Sequence, residues 1–254
     1  MNRFYRNCAV LVCLLILSGC ASTKTDTNDN DGALESYNHA MFKFNNAVEK
    51  GVIRPVAKGY RAVTNKYVRQ RVTNFFNNLE EPVSMANHLL QGEFHNSGQN
   101  LARFMINSTI GILGLYDVAS KAGLEKMPTG LDETMATWCV PDGPYIVLPI
   151  VGPSTPRAAT GWVADGYSAP AYWAVNKSGD DEAMWAYTGA MSLKYLNKYT
   201  ENLNMIESLE EGSIDYYETV KSAYMQNRQK IKSCKVKQED NNMNYDFDMD
   251  EYED

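Results

Sequence analysis

Five of the nine prolines in this 254-residue chain fall between Pro141 and Arg157, in PDGPYIVLPIVGPSTPR, and they exclude a continuous helix and a central strand from that stretch. It reads as an ordered, largely extended apolar loop. The same punctuation marks Phe75 to Asp117, where apolar residues at helical spacing are interrupted by Pro82, Gly92, Gly111 and Gly114, so three short helices in succession are expected. Pro82 suits the first turn of a helix, and Gly92 can close that helix in a left-handed conformation. Leu101, Phe104, Met105 and Ser108 then share one helical face, and Arg103 and Asn107 share another. The apolar run Ile110 to Tyr116 is too short to span a bilayer as a helix, but long enough to lie under a core or dip into one leaflet. Asp117 is placed to cap a short helix from Val118 to Ala122.

Elsewhere the pattern is also helical. Leu34, Tyr37, Met41, Phe44 and Val48 form an apolar stripe whose simplest use is a core face. Short helices are expected from Arg54, from Tyr67 to Leu79 and from Asp132 to Trp138. Thr155 can cap a helix beginning at Pro156 and running to Asp165. The longest helical material runs from Asp181 to Leu209, and a last helix from Ser213 to Ser233. No strand-rich block with turn signals appears, so the fold class is all-α.

The N-terminus carries Arg3 and Arg6, an apolar run from Cys8 to Leu17, and then Leu17-Ser18-Gly19-Cys20, the form of a secretory signal ending at an acylated cysteine. Residues 1–19 are thus read as a lipoprotein signal peptide, Cys20 as the lipid anchor and 20–32 as a polar tether. A helical domain over 33–234 and an acidic disordered tail over 235–254 complete the organisation. The chain holds 24 basic and 31 acidic residues, and eight acidic ones follow Lys237 without a basic one, so the folded part is near neutral. It lacks the positive field that nucleic acid requires. Once the signal is removed and Cys20 acylated, Cys139 and Cys234 remain, either as one disulfide or as two buried thiols.

Chemistry is sparse. His88 and His95, seven apart, have no metal-site spacing, Ser154 lies outside any GxSxG elbow, and no Walker motif is present. A hydrolase built from Ser154, His88 and Asp117 can be written down, as it can for any long chain. Catalytic residues, metal ligands and a cofactor are therefore expected to be absent.

Asn78-Leu79-Glu80-Glu81-Pro82, Asn87-His88-Leu89-Leu90-Gln91-Gly92, Arg103-Phe104, Asn107, Gly111, Gly114 and Asp117 follow the NLxEPxxxxNxLLQG and RFxxNxxxGxxGxxD segments of one family. Gly143-Pro144-Tyr145, Leu148-Pro149, Gly152-Pro153-Ser154, Arg157, Asp165 and Pro170 follow its second motif, and Tyr37-Asn38 with Phe44-Asn45 its opening. The chain thus resembles the MlaA/VacJ outer-membrane lipoproteins. Two departures stand out: Ala158 replaces the usual acidic residue after Arg157, and Cys139 and Pro141 stand where glycines are usual. Ala21 after the anchor, in place of aspartate, is similar to lipoproteins sent to the outer membrane.

The resemblance implies a ring-like arrangement of short amphipathic helices in one leaflet, associated with a trimeric porin. It implies a passive path for phospholipid out of the outer leaflet and onward to a soluble periplasmic carrier. Asn78, Glu81, Asn87, Arg103, Asn107, Asp117, Arg157 and Asp165, polar residues within apolar motifs, are expected either to fix helices against one another or to line such a path. The alternative function is a lipidated scaffold that holds an envelope assembly without moving lipid.

Overall fold

The computed structural model describes residues 29–231. The signal segment, Cys20, Cys234 and the acidic tail lie outside the described residues. Helix α1 (Asp29–Val48) begins inside the stretch read as tether and passes through a π-helical turn (Glu49–Ile53) into α2 (Arg54–Val63). The apolar stripe on α1 is not a core face throughout: Tyr37 and Phe44 are 43% and 47% exposed, while Asn38 is buried and Met41 and Phe42 pack inward.

Helix α3 (Lys66–Leu90) is capped by Asn65, which accepts from Val68 N at 2.9 Å, and it runs unbroken through Pro82. The expected break before Pro82 is therefore absent. An internal proline costs about 3 kcal/mol, but here at least two helical turns lie on either side of it and α4 (Phe94–Thr109) packs along the same face. Gly92 (φ +76°) ends α3 as expected. Residues 110–116 form successive turns, not a helix, and they are not under a core: Ile110, Ile112 and Leu113 are 70%, 58% and 67% exposed. Asp117 caps α5 (Val118–Lys121), accepting from Ser120 N at 3.1 Å, and α6 (Leu131–Thr137) follows.

The Pro-rich segment contains a feature that the sequence pattern did not show, a hairpin of β1 (Ile146–Leu148) and β2 (Gly152–Ser154) pairing Val147 with Pro153. In a two-stranded sheet each strand has a free side, so a proline missing its N–H is tolerated. The outer edge of β1 is satisfied by α1. Asn38 donates to Tyr145 O (3.0 Å) and accepts from Val147 N (2.8 Å), and Asn45 donates to Leu148 O (2.8 Å) and accepts from Ile150 N (2.6 Å). Two asparagine amides seven residues apart thus take the place of a third strand.

Thr155 caps α7 (Pro156–Ser168), accepting from Ala158 N at 3.2 Å, and α8 (Pro170–Ser178) ends at left-handed Gly179. Helix α9 (Asp181–Gly212) packs on α2 and α3, and α10 (Tyr216–Gln229) packs on the hairpin. Tyr145, Val147 and Tyr217, with Met41, Phe42 and Tyr224 around them, form the apolar cluster that joins α1, the hairpin and α10. No helix among the described residues is long and apolar enough to cross a membrane.

Gly161 lets α7 approach α6: a Cβ there would lie 2.6 Å from Asp132 N. Gly161→Ala is expected to cost about 1–3 kcal/mol through overpacking, whereas Gly189→Ala, in open space on α9, should stabilise by about 0.5–1 kcal/mol. Thermal melts of the two variants check both signs.

Candidate functional site

On α3 and α4 the buried positions are nearly all polar. They are Asn74, Asn78, Glu81, Ser84, Asn87 and His88 beside Phe76 on α3, and Ser97, Asn100, Arg103 and Asn107 on α4. Leu101 and Met105, on the opposite face of α4, are 44% and 55% exposed. The α3–α4 helix pair is amphipathic with its polar stripe turned in.

Arg103, 1% exposed, is the centre of this seam. Its Nε donates to Glu81 Oε1 (2.7 Å), its Nη1 to Leu124 O (2.6 Å) and Ser120 Oγ (3.1 Å), and its Nη2 to Asp117 Oδ1 (3.2 Å). Asn107 donates to the same Asp117 oxygen at 3.2 Å and accepts from Ala119 N at 2.9 Å. Burial pushes the Glu81 carboxyl above the usual range against the pull of Arg103. For Asp117 burial acts the same way but is outweighed by hydrogen bonds from Ser120 and the charge of Arg103, so its carboxyl falls well below the usual range. The glycines above are fixed by close approach. A Cβ on Gly114 (φ +89°) would lie 2.4 Å from that of Asn78, whose Nδ2 donates to Ser108 Oγ at 2.9 Å.

A second seam joins α3 to α6 and α7. Asn87 donates to Asp165 Oδ1 (3.2 Å) and accepts from Thr134 Oγ1 (2.8 Å), and Asp165 takes the backbone N–H of Leu131 at 2.9 Å. Burial raises the Asp165 carboxyl above its ordinary value. In a third cluster Arg157 donates to Asp132 Oδ1 (2.8 Å) and Val140 O (2.9 Å), while Arg228 on α10 bonds both Asp132 and Asp142. Arg157 has therefore found acidic partners in place of the one missing at Ala158. Burial opposes ionisation of Asp132 and Asp142, but the two arginines outweigh it and hold both carboxyls below the ordinary 3.8.

Cys139 sits in this cluster's connecting loop with φ +66°, a left-handed conformation that favours glycine, and it is disulfide-bonded. Its proposed partner Cys234 lies outside the described residues.

Sequence reasoning missed Asn38, Asp132, Asp142 and Arg228. Asn38 meets partners 107 and 109 residues away and Arg228 meets partners 86 and 96 residues away, so neither left a local signal. Ser154, His88 and Asp117 do not bond one another. Ser154 donates to Thr155 O, His88 meets Glu93 and Met127 O, and Asp117 meets the residues above. One trio, Glu35, His39 and Glu218, brings three ligand atoms within 4.8 Å of one another, but Glu35 already binds Lys221 Nζ (2.9 Å) and Tyr217 OH (2.8 Å).

Taken together, seventeen polar or charged residues are buried among the described residues against eight apolar ones. All four tryptophans, Trp138, Trp162, Trp173 and Trp185, are 37% to 70% exposed. This is the reverse of the distribution in a water-soluble domain.

A family model described as MlaA lipoprotein matches residues 30–231. The chain belongs to the MlaA lipoprotein family. Two relatives are each named intermembrane phospholipid transport system lipoprotein MlaA. That of Haemophilus influenzae is 35% identical over 86% of this chain and 87% of its own, and that of Escherichia coli 32% identical over 83% and 82%. An uncharacterized protein of Rickettsia prowazekii is 39% identical over 134 residues, so the chain spans about half of that relative's length. A solved structure described as the structural basis for maintenance of bacterial outer membrane lipid asymmetry superposes with a TM-score of 0.66 at 31% identity, covering 76% of this chain and 95% of that one. The helical fold of this MlaA-family chain is thus shared with a protein of that role.

Removing the guanidinium in Arg103→Met leaves the buried Glu81 without its cation and is expected to cost about 3–5 kcal/mol, part of which Arg103→Met/Glu81→Gln should restore. Denaturant melts of the single and double variants measure the coupling.

The lowered carboxyls of Asp132 and Asp142 stabilise the fold above about pH 3.8, and that contribution is lost as pH falls through their folded values. Raised Glu81 and Asp165 act with the opposite sign. Melting temperature measured between about pH 2 and 6 should therefore drop steeply in acid for the native chain, and less steeply for Asp132→Asn/Asp142→Asn.

Proposed function

We propose that this chain is an outer-membrane lipoprotein that gives phospholipids a passive path, withdrawing misplaced phospholipid from the outer leaflet and so maintaining lipid asymmetry. The inverted polarity carries this reading: a polar interior roofed by exposed Ile, Leu, Val and Trp suits hydrocarbon as the surrounding solvent. Family membership and the naming of the Haemophilus and Escherichia relatives support the same function. Moving a phospholipid between leaflets is costly because its charged head must cross hydrocarbon, and a polar-lined passage removes most of that cost. Geometry suffices for this, and neither catalysis nor a cofactor is asked of the chain.

The finer picture belongs to the same proposal. Cys20 anchors the protein, the helices form a ring lying in the periplasmic leaflet beside a trimeric porin, and lipid passes to a soluble periplasmic carrier. Cys139 pairs with Cys234. Asn78, Glu81, Asn87, Arg103, Asn107, Asp117, Arg157 and Asp165 fix the helices against one another and do not line the passage, because their polar groups are occupied by protein partners. The Oδ1 of Asn78 is an exception, being buried without a partner.

Cells lacking the protein should accumulate phospholipid on their surface and admit detergents, and the native chain should reverse both. In vesicles, lipids brominated along their acyl chains should quench the exposed tryptophans. Unchanged surface lipid in the deletion strain would leave the scaffold reading in its place, and unquenched tryptophans would remove the chain from the leaflet.

A further inference from the structure

A cavity of about 540 Å³ lies between the C-terminal end of α3, residues 127–129, α6 and the C-terminal half of α10. That volume falls within the roughly 300–1,000 Å³ usual for small-ligand sites. The charges on its wall sort into matched and unmatched groups. His88, 5% exposed, places Nε2 at 3.0 Å from Met127 O and Nδ1 at 2.9 Å from Glu93 Oε2. The His88 ring thus ties Glu93 to Met127 O, and Asn96 also donates to Glu93 at 2.8 Å. Arg228 is balanced by Asp132 and Asp142.

Two further charged side chains line the wall. Lys230 makes no side-chain hydrogen bond or ion pair among the described residues. Glu133 accepts from Gly130 N at 3.0 Å and meets no cation among them. Met127, Pro128 and Ile231 add apolar surface to the same wall. A purely anionic ligand would answer Lys230 and be repelled by Glu133, whereas a ligand carrying both signs answers each.

We propose that this cavity is a headgroup site for a zwitterionic phospholipid of the phosphoethanolamine type, with the phosphate held by Lys230 and the ammonium by Glu133. The apolar part of the wall receives the glycerol end. The assignment rests on the phospholipid-path reading and extends it from a passage to a passage that discriminates between headgroups.

Short-chain dihexanoyl phosphatidylethanolamine and dihexanoyl phosphatidylglycerol, titrated calorimetrically into the full chain in detergent, test it. The native chain should bind the ethanolamine lipid about tenfold more tightly than the glycerol lipid. Glu133→Gln keeps an acceptor for Gly130 N, so it should melt normally and lose that preference, whereas Lys230→Gln should weaken both lipids about tenfold. Equal binding of the two lipids by the native chain, or a preference that survives Glu133→Gln, overturns the assignment. Should Glu133→Gln fail to fold, the Lys230→Gln titration decides alone, and undiminished binding there overturns it. Returning the native chain to deletion cells separates the two readings: restored asymmetry without headgroup preference removes only the cavity assignment, and unrestored asymmetry removes the path itself.

Discussion

A guanidinium sealed from water must have all its charge and its donors answered by the protein, and Arg103 shows how far this chain goes to meet that demand. Its partners come from α3, from the cap of α5 and from the chain just after it. Each of those segments is therefore placed by the arginine as much as by apolar contact. Because burial of such a group is costly unless every partner is present, the seam forms as a unit or not at all. The same logic repeats at Asp165, and again where Arg157 and Arg228 share Asp132. Polar matching thus sets the helix positions here, a task that apolar packing performs in most domains of this size.

Where hydrogen bonds hold the inside, the outside is free to be apolar. Helix α4 makes the point within two turns, with Arg103 enclosed and Leu101 and Met105 facing away. The turn at 110–116 carries it further, since Ile112 and Leu113 both adopt φ +54°, which bulky side chains rarely do, and both project outward. Such backbone strain persists only where neighbours over-determine it, and Gly111 and Gly114, pressed against Asn107 and Asn78, supply that constraint.

Local signals were legible in the sequence because they act over a few residues. Asp117 and Thr155 cap the helices that they precede, and Gly92 terminates the helix before it. Pro82 misled because its local penalty is smaller than the gain from packing a 25-residue helix along α4. The stripe on α1 misled for a different reason: periodicity shows that two faces differ without saying which one is enclosed, so Tyr37 and Phe44 read as core although Asn38 occupies that place. The hairpin was hidden by its prolines, and its support by Asn38 and Asn45 is a contact across about a hundred residues, which spacing within the chain does not reveal. Cys139 keeps a left-handed backbone, which would account for the glycine that the resemblance places there.

The two asparagines that finish the edge of β1 also set the terms on which this segment can change. An amide is the one uncharged side chain that offers a donor and an acceptor side by side, as a strand backbone does. Aspartate would present only acceptors to Tyr145 O and Leu148 O, and leucine would present neither group. A substitution at 38 or 45 must therefore imitate a peptide bond, while the bulky neighbours Tyr37 and Phe44, 43% and 47% exposed, meet no such demand.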